Sequence, residues 1–224
     1  MIIAYGIPAY RSTVHAGHVM QTAQLSSWST KLGIKALYTW VDSSFLPAAR
    51  NRLLWWAIQN KADWLLMSDS DTFCAQGDAV LRMIDEANRR GAAVVAAPVQ
   101  LRNRTGFNCE NVRGGVELQL EKEDFEGRLL PVDRIGTGFM AINCRWVYEN
   151  LPYPWPEKPW FYMDQYSEAF EKPPSWSGED YGFCDQVRAK GGEVLADGRL
   201  EPSHVGSAAE IQAMAIPGLA VEGL

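Results

Sequence analysis

The first hundred residues alternate between short apolar runs and segments of helical spacing, and that order admits few folds. Met1–Ile7 is short and apolar and is followed by Pro8, which marks a buried strand ending in a loop. In His15–Lys31, Val19, Met20, Ala23 and Trp28 recur at roughly helical spacing, with Gly33 as a stop. Ile34–Trp40 reads as a second strand. Leu46–Asn60 reads as a helix with Pro47 in its first turn and Leu53, Leu54, Trp56 and Ala57 on one face. Trp64–Met67 is a third strand that stops at Asp69. Asp78–Arg90 is helical with Gly91 at its end, and Ala92–Val99 is a fourth strand. This β-α-β-α-β-α-β order implies a mostly parallel sheet covered by helices.

The second half changes character. Gly115–Leu120 alternates as a strand of a mixed or antiparallel sheet does, and Gly138–Ile142 is another short apolar run. Residues 151–176 hold eight aromatic residues and six of the chain's 12 prolines. No regular element accommodates that many prolines, so this stretch is expected to be a long ordered loop packed by its own side chains. Gly178–Lys190 returns to helix and Glu193–Ala196 to strand. With 224 residues and no internal repeat or linker, one domain is the economical organisation.

Composition excludes several classes. At 47% hydrophobic and 21% charged, the chain is neither a disordered tail nor a coiled coil. No stretch approaches the ~20 apolar residues of a membrane span. The N-terminus lacks the basic flank and apolar run of a signal peptide, so a cytoplasmic location is expected. A net charge of −6 argues against non-specific duplex DNA binding. Cys74, Cys109, Cys144 and Cys184 form no C-x-x-C pair, so they are expected to be buried, reduced thiols and not a zinc site.

Chemistry concentrates at a few places. The third strand runs straight into Asp69-Ser70-Asp71, two carboxylates at i and i+2. In open α/β sheets ligands bind beyond the carboxyl ends of strands, and two acids there suit a hard divalent cation such as magnesium or manganese. The plain alternative is that they cap a loop. Glu179-Asp180 opens the helix that follows the aromatic loop. Acids favour helix N-termini through the dipole, and a carboxylate there can also serve as a general base. His204 follows the last strand and can add an imidazole to a carboxylate metal site. His15 and His18, at i and i+3 near a helix start, face either a ligand or solvent. Arg50 and Arg52, one helix before the acid pair, either neutralise phosphate or are solvated charges. Gly136-Thr137-Gly138-Phe139-Met140-Ala141 matches G-x-G-x-x-G/A in form, but a strand follows it, so it is not a dinucleotide fingerprint.

Together these features resemble the GT-A class of glycosyltransferases, and the resemblance runs from Ile3 to about Gly206. It begins with a strand followed by Pro8 and Tyr10. Ala49-Arg50-Asn51 resembles the Arg-Asn segment before the metal motif, and Asp69-Ser70-Asp71 the Asp-x-Asp motif itself. Gly136-Thr137-Gly138-Phe139 is similar to the Gly-rich start of the strand lining the pocket. Glu179-Asp180 with Phe183 resembles the acidic acceptor-side motif, and His204 the late histidine of the metal site. The chain departs from the family in lacking an Asn after Tyr10 and in having little sequence beyond His204.

The resemblance implies an α/β fold with a single GT-A, Rossmann-like domain, a mostly parallel central sheet and a small antiparallel addition. Residues 1–100 would bind the nucleotide sugar, residues 101–206 the acceptor, and residues 207–224 form a tail. The implied donor-binding residues are Pro8, Tyr10, Arg50, Asp69, Ser70, Asp71 and Gly138. Asp69, Asp71 and His204 would hold Mn2+ or Mg2+, which assists departure of the diphosphate. Asp180 would act as base with Glu179 orienting the acceptor, if the reaction inverts; a retaining course stays open. Trp155, Trp160 and Trp176 are candidates to stack on an acceptor sugar, or else simply pack the loop. The acceptor carries a free hydroxyl, on a glycan or, as a minority reading, on a modified nucleic-acid base. Rival readings are a nucleotidyltransferase-like phosphoryl-transfer enzyme, which should carry a basic Gly-rich loop after the first strand, and a non-catalytic carbohydrate-binding protein. Neither the donor sugar nor the oligomeric state can be read from the sequence.

Overall fold

The computed structural model describes residues 1–11, 13–101, 106–113, 115–125, 127–151, 159–162 and 178–204. Its centre is a seven-stranded sheet. The first strands and helices are β1 (Ile2–Ala9), α1 (Gly17–Lys31), β2 (Lys35–Asp42), α2 (Leu46–Gln59), β3 (Trp64–Ser68), β4 (Thr72–Phe73), α3 (Gly77–Arg90) and β5 (Val94–Ala96). There follow β6 (Cys109–Arg113), β7 (Val116–Gln119), α4 (Lys122–Phe125), β8 (Leu129–Pro131), β9 (Arg134–Ile135), β10 (Phe139–Asn143) and α5 (Cys144–Asn150). The described elements close with α6 (Glu179–Ala189), β11 (Val194–Asp197) and β12 (Ser203–His204).

The sheet order is β2-β1-β3-β10-β5-β11-β8, with β7-β6-β9 and β12-β4 as two small separate sheets. Strands β2, β1, β3, β5 and β11 share one direction; β10 and β8 run against them. The expected mostly parallel sheet is therefore present, but β10 is inserted between the third and fourth strands of the alternating half. The short antiparallel sheet β7-β6-β9 is the expected addition.

Strand side chains alternate between two cores because the strand period is two. Leu65, Met67, Met140 and Ile142 join one core, with Leu53, Leu54, Val147, Phe183 and Val187 from α2, α5 and α6. Trp64, Leu66, Phe139 and Ala141 join the other, with Leu25, Val80, Met83 and Ile84 from α1 and α3. Each fully buried aliphatic side chain of this kind contributes about 1.5–3 kcal/mol. Gly91, at φ +70°, ends α3 in the left-handed conformation, as the sequence suggests.

Three local features differ from expectation. β1 continues through Pro8 to Ala9. This is possible because β3 pairs only as far as Gly6, so Pro8 lacks a neighbour on that side and its missing N–H costs no ladder bond there. The fourth strand is shorter than Ala92–Val99, spanning Val94–Ala96. Helix α5, absent from the sequence reading, is initiated by Asn143, whose side chain accepts a hydrogen bond from the Trp146 N–H at 3.0 Å. Most of the aromatic and proline-rich stretch lies outside the described residues, as do Trp155, Trp176 and the 207–224 tail.

All four cysteines are free and buried. Burial pushes the Cys74 thiol up to about 11 and the Cys184 thiol up to about 12, and raises Cys109 and Cys144 as well. Since the thiolate is the reactive form, a thiol reagent at neutral pH is expected to label none of the four in the native protein and all four in urea. Rapid labelling of native protein would contradict this packing.

Candidate functional site

The acid pair lies where β3 leaves the sheet. The Asp69 N–H donates to the Gly138 carbonyl at 3.1 Å, and the Thr72 N–H donates to the Asp69 carbonyl at 2.8 Å, closing a tight turn. Gly138 thus receives the end of β3, and a Cβ there would come within 3.1 Å of Val99 Cγ2. The turn is held from the other side of the sheet too. The His15 N–H donates to the Ser70 carbonyl at 2.9 Å, and His18 Nε2 lies 3.1 Å from the Asp69 carbonyl.

The two carboxylates then diverge. Both oxygens of Asp69 face Arg50, with Nη2 at 2.9 Å from Oδ1 and 3.2 Å from Oδ2. The other arm of the same guanidinium donates to Glu179 Oε1 at the start of α6. Arg50 is 3% exposed. It therefore stands behind the cleft as a bridge between two acids, and not in it as a phosphate ligand. The neighbouring Arg52 is exposed. Asp69, expected among the metal ligands, has both oxygens within hydrogen-bond distance of the guanidinium and also lines the cleft described below.

Asp180 adds a third acid. It acts electrostatically on Arg50, Asp69 and Glu179, while its Oδ1 accepts the Tyr181 N–H at 2.9 Å. One buried cation thus faces more than one compensating anion. Burial pushes the Asp69 carboxyl above its ordinary value; Arg50 opposes this, and Asp71 and Asp180 add to it. Glu179 is raised for the same reasons, with Asp180 as the repelling neighbour.

Asp71 points the other way. Its Oδ2 lies 3.8 Å from His204 Nε2, and Thr72 Oγ1 is 3.3 Å from Oδ1. His204 arrives on β12, which pairs antiparallel with β4 and sets His204 opposite Thr72. One carboxylate and one imidazole at this separation suit a hard cation whose remaining ligands come from a diphosphate and water. Among the described residues, no group of three His, Cys, Asp or Glu side chains is assembled to hold a metal without such help.

Beside these acids lies a cleft of about 250 Å³ lined by Pro8, Tyr10, Ser43, Ser44, Leu46, Asp69, Ser70 and Asp71. Five of the seven expected donor-binding residues therefore line one cleft. Arg50 lies behind it and Gly138 at its base. Ser43, Ser44 and Leu46 were not singled out in the sequence; the only signal was their place just after β2, at the same sheet end.

On the α6 side, Trp160 is 2% exposed, leans against Trp55 and donates its indole N–H to the Leu151 carbonyl at 2.9 Å. In this arrangement its ring is core and not an open platform. The sequence singled out Asn51 within the Arg-Asn segment but not its part in holding this ring. Asn51 is buried and uses all its capacity: its amide donates to Pro47 O and Phe161 O, and its oxygen accepts the Trp160 and Phe161 N–H groups at 2.8 and 3.1 Å. Phe161 stacks on Phe183 with centroids 4.5 Å apart. Arg134 braces the far side of α6, pairing with Asp185 at 2.7 Å and with Glu110 and Glu117 of the small sheet at 2.9 and 2.8 Å.

Asp69 and Glu179 both titrate above their unfolded values. Their burial therefore costs nothing below about pH 4 and its full amount once the pH passes their folded values. Removing the guanidinium widens that gap. Arg50→Met is expected to cost about 3–5 kcal/mol at neutral pH in urea unfolding, and less near pH 4, where both acids fold protonated. An equal loss at both pH values contradicts the charge account.

No family model matches the chain, and no curated protein matches it. Solved structures do. "4-diphosphocytidyl-2C-methyl-D-erythritolsynthase" from Anaerococcus prevotii aligns over 95% of this chain and 95% of its own, at 12% identity and a TM-score of 0.48. An apo UDP-glucose pyrophosphorylase aligns over 91% and 92%, at 11% identity and a TM-score of 0.48. A197 from STIV aligns over 92% of this chain and 87% of its own, at 18% identity and a TM-score of 0.57. At that similarity what is shared with A197 is the fold alone, an α/β layer structure.

Proposed function

We propose that the chain is a metal-dependent glycosyltransferase. It would move a sugar from a nucleotide-diphosphate donor, uridine diphosphate by default, to an acceptor hydroxyl with inversion. The observation that carries this reading is the acid-rich cleft at the sheet end, whose nearest inward cation, Arg50, is already bound to Asp69 and Glu179. A diphosphate entering beside Asp71 needs added positive charge. Asp71 and His204, 3.8 Å apart, are the residues to hold a divalent cation that supplies it. When bound, that cation supplies Lewis-acid stabilisation of the leaving diphosphate.

The chain's own residues do the rest. Pro8, Tyr10, Ser43, Ser44 and Leu46 wall the cleft where the nucleoside would lie, and Ser70 lines it between the two acids. Glu179 is held by Arg50, so its place relative to Asp69 is set before any ligand binds. Asp180, next along the helix, is not among the groups hydrogen-bonded to Arg50 in the described residues and is the better placed of the two to take the acceptor proton. A nucleotidyltransferase is the second reading; it would need a basic Gly-rich phosphate loop after the first strand, where this chain has Pro8-Ala9-Tyr10-Arg11.

Thermal unfolding with nucleotide diphosphates, triphosphates and nucleotide sugars, with and without manganese, tests this. A ligand at 100 times its Kd stabilises by about 2.7 kcal/mol, and a manganese-dependent shift with a diphosphate is expected. Asp180→Asn should keep that shift and lose about 10²–10⁴-fold in transfer. Preference for a triphosphate with pyrophosphate release would replace this reading by nucleotidyl transfer. No shift with any nucleotide would leave a carbohydrate-binding protein.

A further inference from the structure

His15 and His18 stood out in the sequence, and neither lines the cleft. We propose that His18, oriented by Tyr5, is the positioning residue of the Asp69-Ser70-Asp71 turn. The inference rests on the reading of Asp71 as a metal ligand.

His18 is 2% exposed at the start of α1, with Nε2 at 3.1 Å from the Asp69 carbonyl and Nδ1 at 2.7 Å from Tyr5 Oη. A carbonyl oxygen only accepts, so Nε2 carries the proton. In the neutral ring Nδ1 is then bare and must receive one. Tyr5, buried in β1, is the donor, because burial raises its phenol and keeps it protonated. The tautomer is thus set from both sides, as second-sphere partners set the tautomer of liganding histidines.

The same small network reaches the rest of the turn. Ser68, the last residue of β3, donates its one hydroxyl proton to the Thr72 carbonyl. With the His15 N–H on Ser70, the carbonyls of Asp69, Ser70 and Thr72 each have a donor. His15 is fixed in turn, since its Nδ1 accepts the Gly17 N–H at 3.0 Å and its ring stacks on Phe73. Gly17 is required there: a Cβ would lie 2.5 Å from the Phe73 ring. The backbone of the turn is thereby held from α1, while its two carboxylates diverge, one to Arg50 and one towards His204. An apolar residue at position 18 could fill the same space but could not hold the Asp69 carbonyl.

The experiment uses the full chain. Histidine nitrogen-15 spectra should show His18 as the Nε2-protonated tautomer, assigned by its disappearance in His18→Gln; an Nδ1-protonated ring overturns the proposal. The Kd for uridine diphosphate with manganese should rise about tenfold or more in His18→Ala. It should stay near wild type in His18→Gln, whose amide nitrogen can donate as Nε2 does. Should His18→Ala fail to fold, Tyr5→Phe, which removes one hydroxyl, carries the test and should also weaken binding. Wild-type binding by these variants, while Asp71→Ala has lost binding, overturns the proposal and leaves the metal reading intact. If Asp71→Ala binds like wild type, the metal reading fails. Amide exchange at Asp69–Thr72 then decides the positioning role alone: faster exchange in His18→Ala upholds it and unchanged exchange overturns it.

Discussion

The site depends on one buried cation. Arg50 projects from α2 between the end of β3 and the start of α6, elements distant in sequence, and binds an acid from each. A lysine could not do this, because its single ammonium cannot present two separated pairs of donors in one plane. Breaking a buried ion pair by removing one partner is far more costly than never having had it. The arrangement is therefore a constraint on geometry more than a source of stability: Asp69 and Glu179 cannot drift apart without exposing a charge.

The sheet explains why these groups meet. β10 runs antiparallel between β3 and β5, so Phe139 stands opposite Ser68 and Gly138, just before the strand, meets Asp69. Strand ends of one direction and a strand start of the other share one edge of the sheet. That edge collects the cleft wall from β1 and β2, the acid turn from β3 and the small ladder that brings His204. On the α6 side, Asn51 fastens Trp160 and Phe161 to α2, one residue from Arg50, so the described end of the aromatic stretch is tied to the helix that holds the charges.

The alternation of the first hundred residues was legible because β1, β3 and β5 are buried apolar runs and because Gly33 and Gly91 mark the ends of α1 and α3. The acid turn was legible because Asp69 and Asp71 interrupt an apolar run. The antiparallel insertion was not, since a run such as Phe139–Asn143 has no directional mark. α5 was missed because its one signal, Asn143 as a cap, lies inside that run. Proximity of Asp69, Asp71, Glu179 and His204 could be expected only from their order along a familiar pattern. Which acid Arg50 takes, and that it takes two, is set by packing and not by spacing. Tyr5 gave no signal, because an ordinary buried polar residue looks the same in sequence whether it holds a loop or nothing at all, and Asn51 stood out only beside Arg50 and not as the anchor of Trp160.

The ladder that carries His204 is two residues long and joins positions 130 and 132 apart in the chain. So short a pairing closes a large loop with little local reward, and such elements open long before the sheet behind them does. Any ligand that needs His204 therefore selects the closed ladder, and its observed affinity is scaled by the fraction of molecules in which that ladder is formed. Affinity at this site is then adjustable by substitutions in β4 or β12 that never touch the ligand.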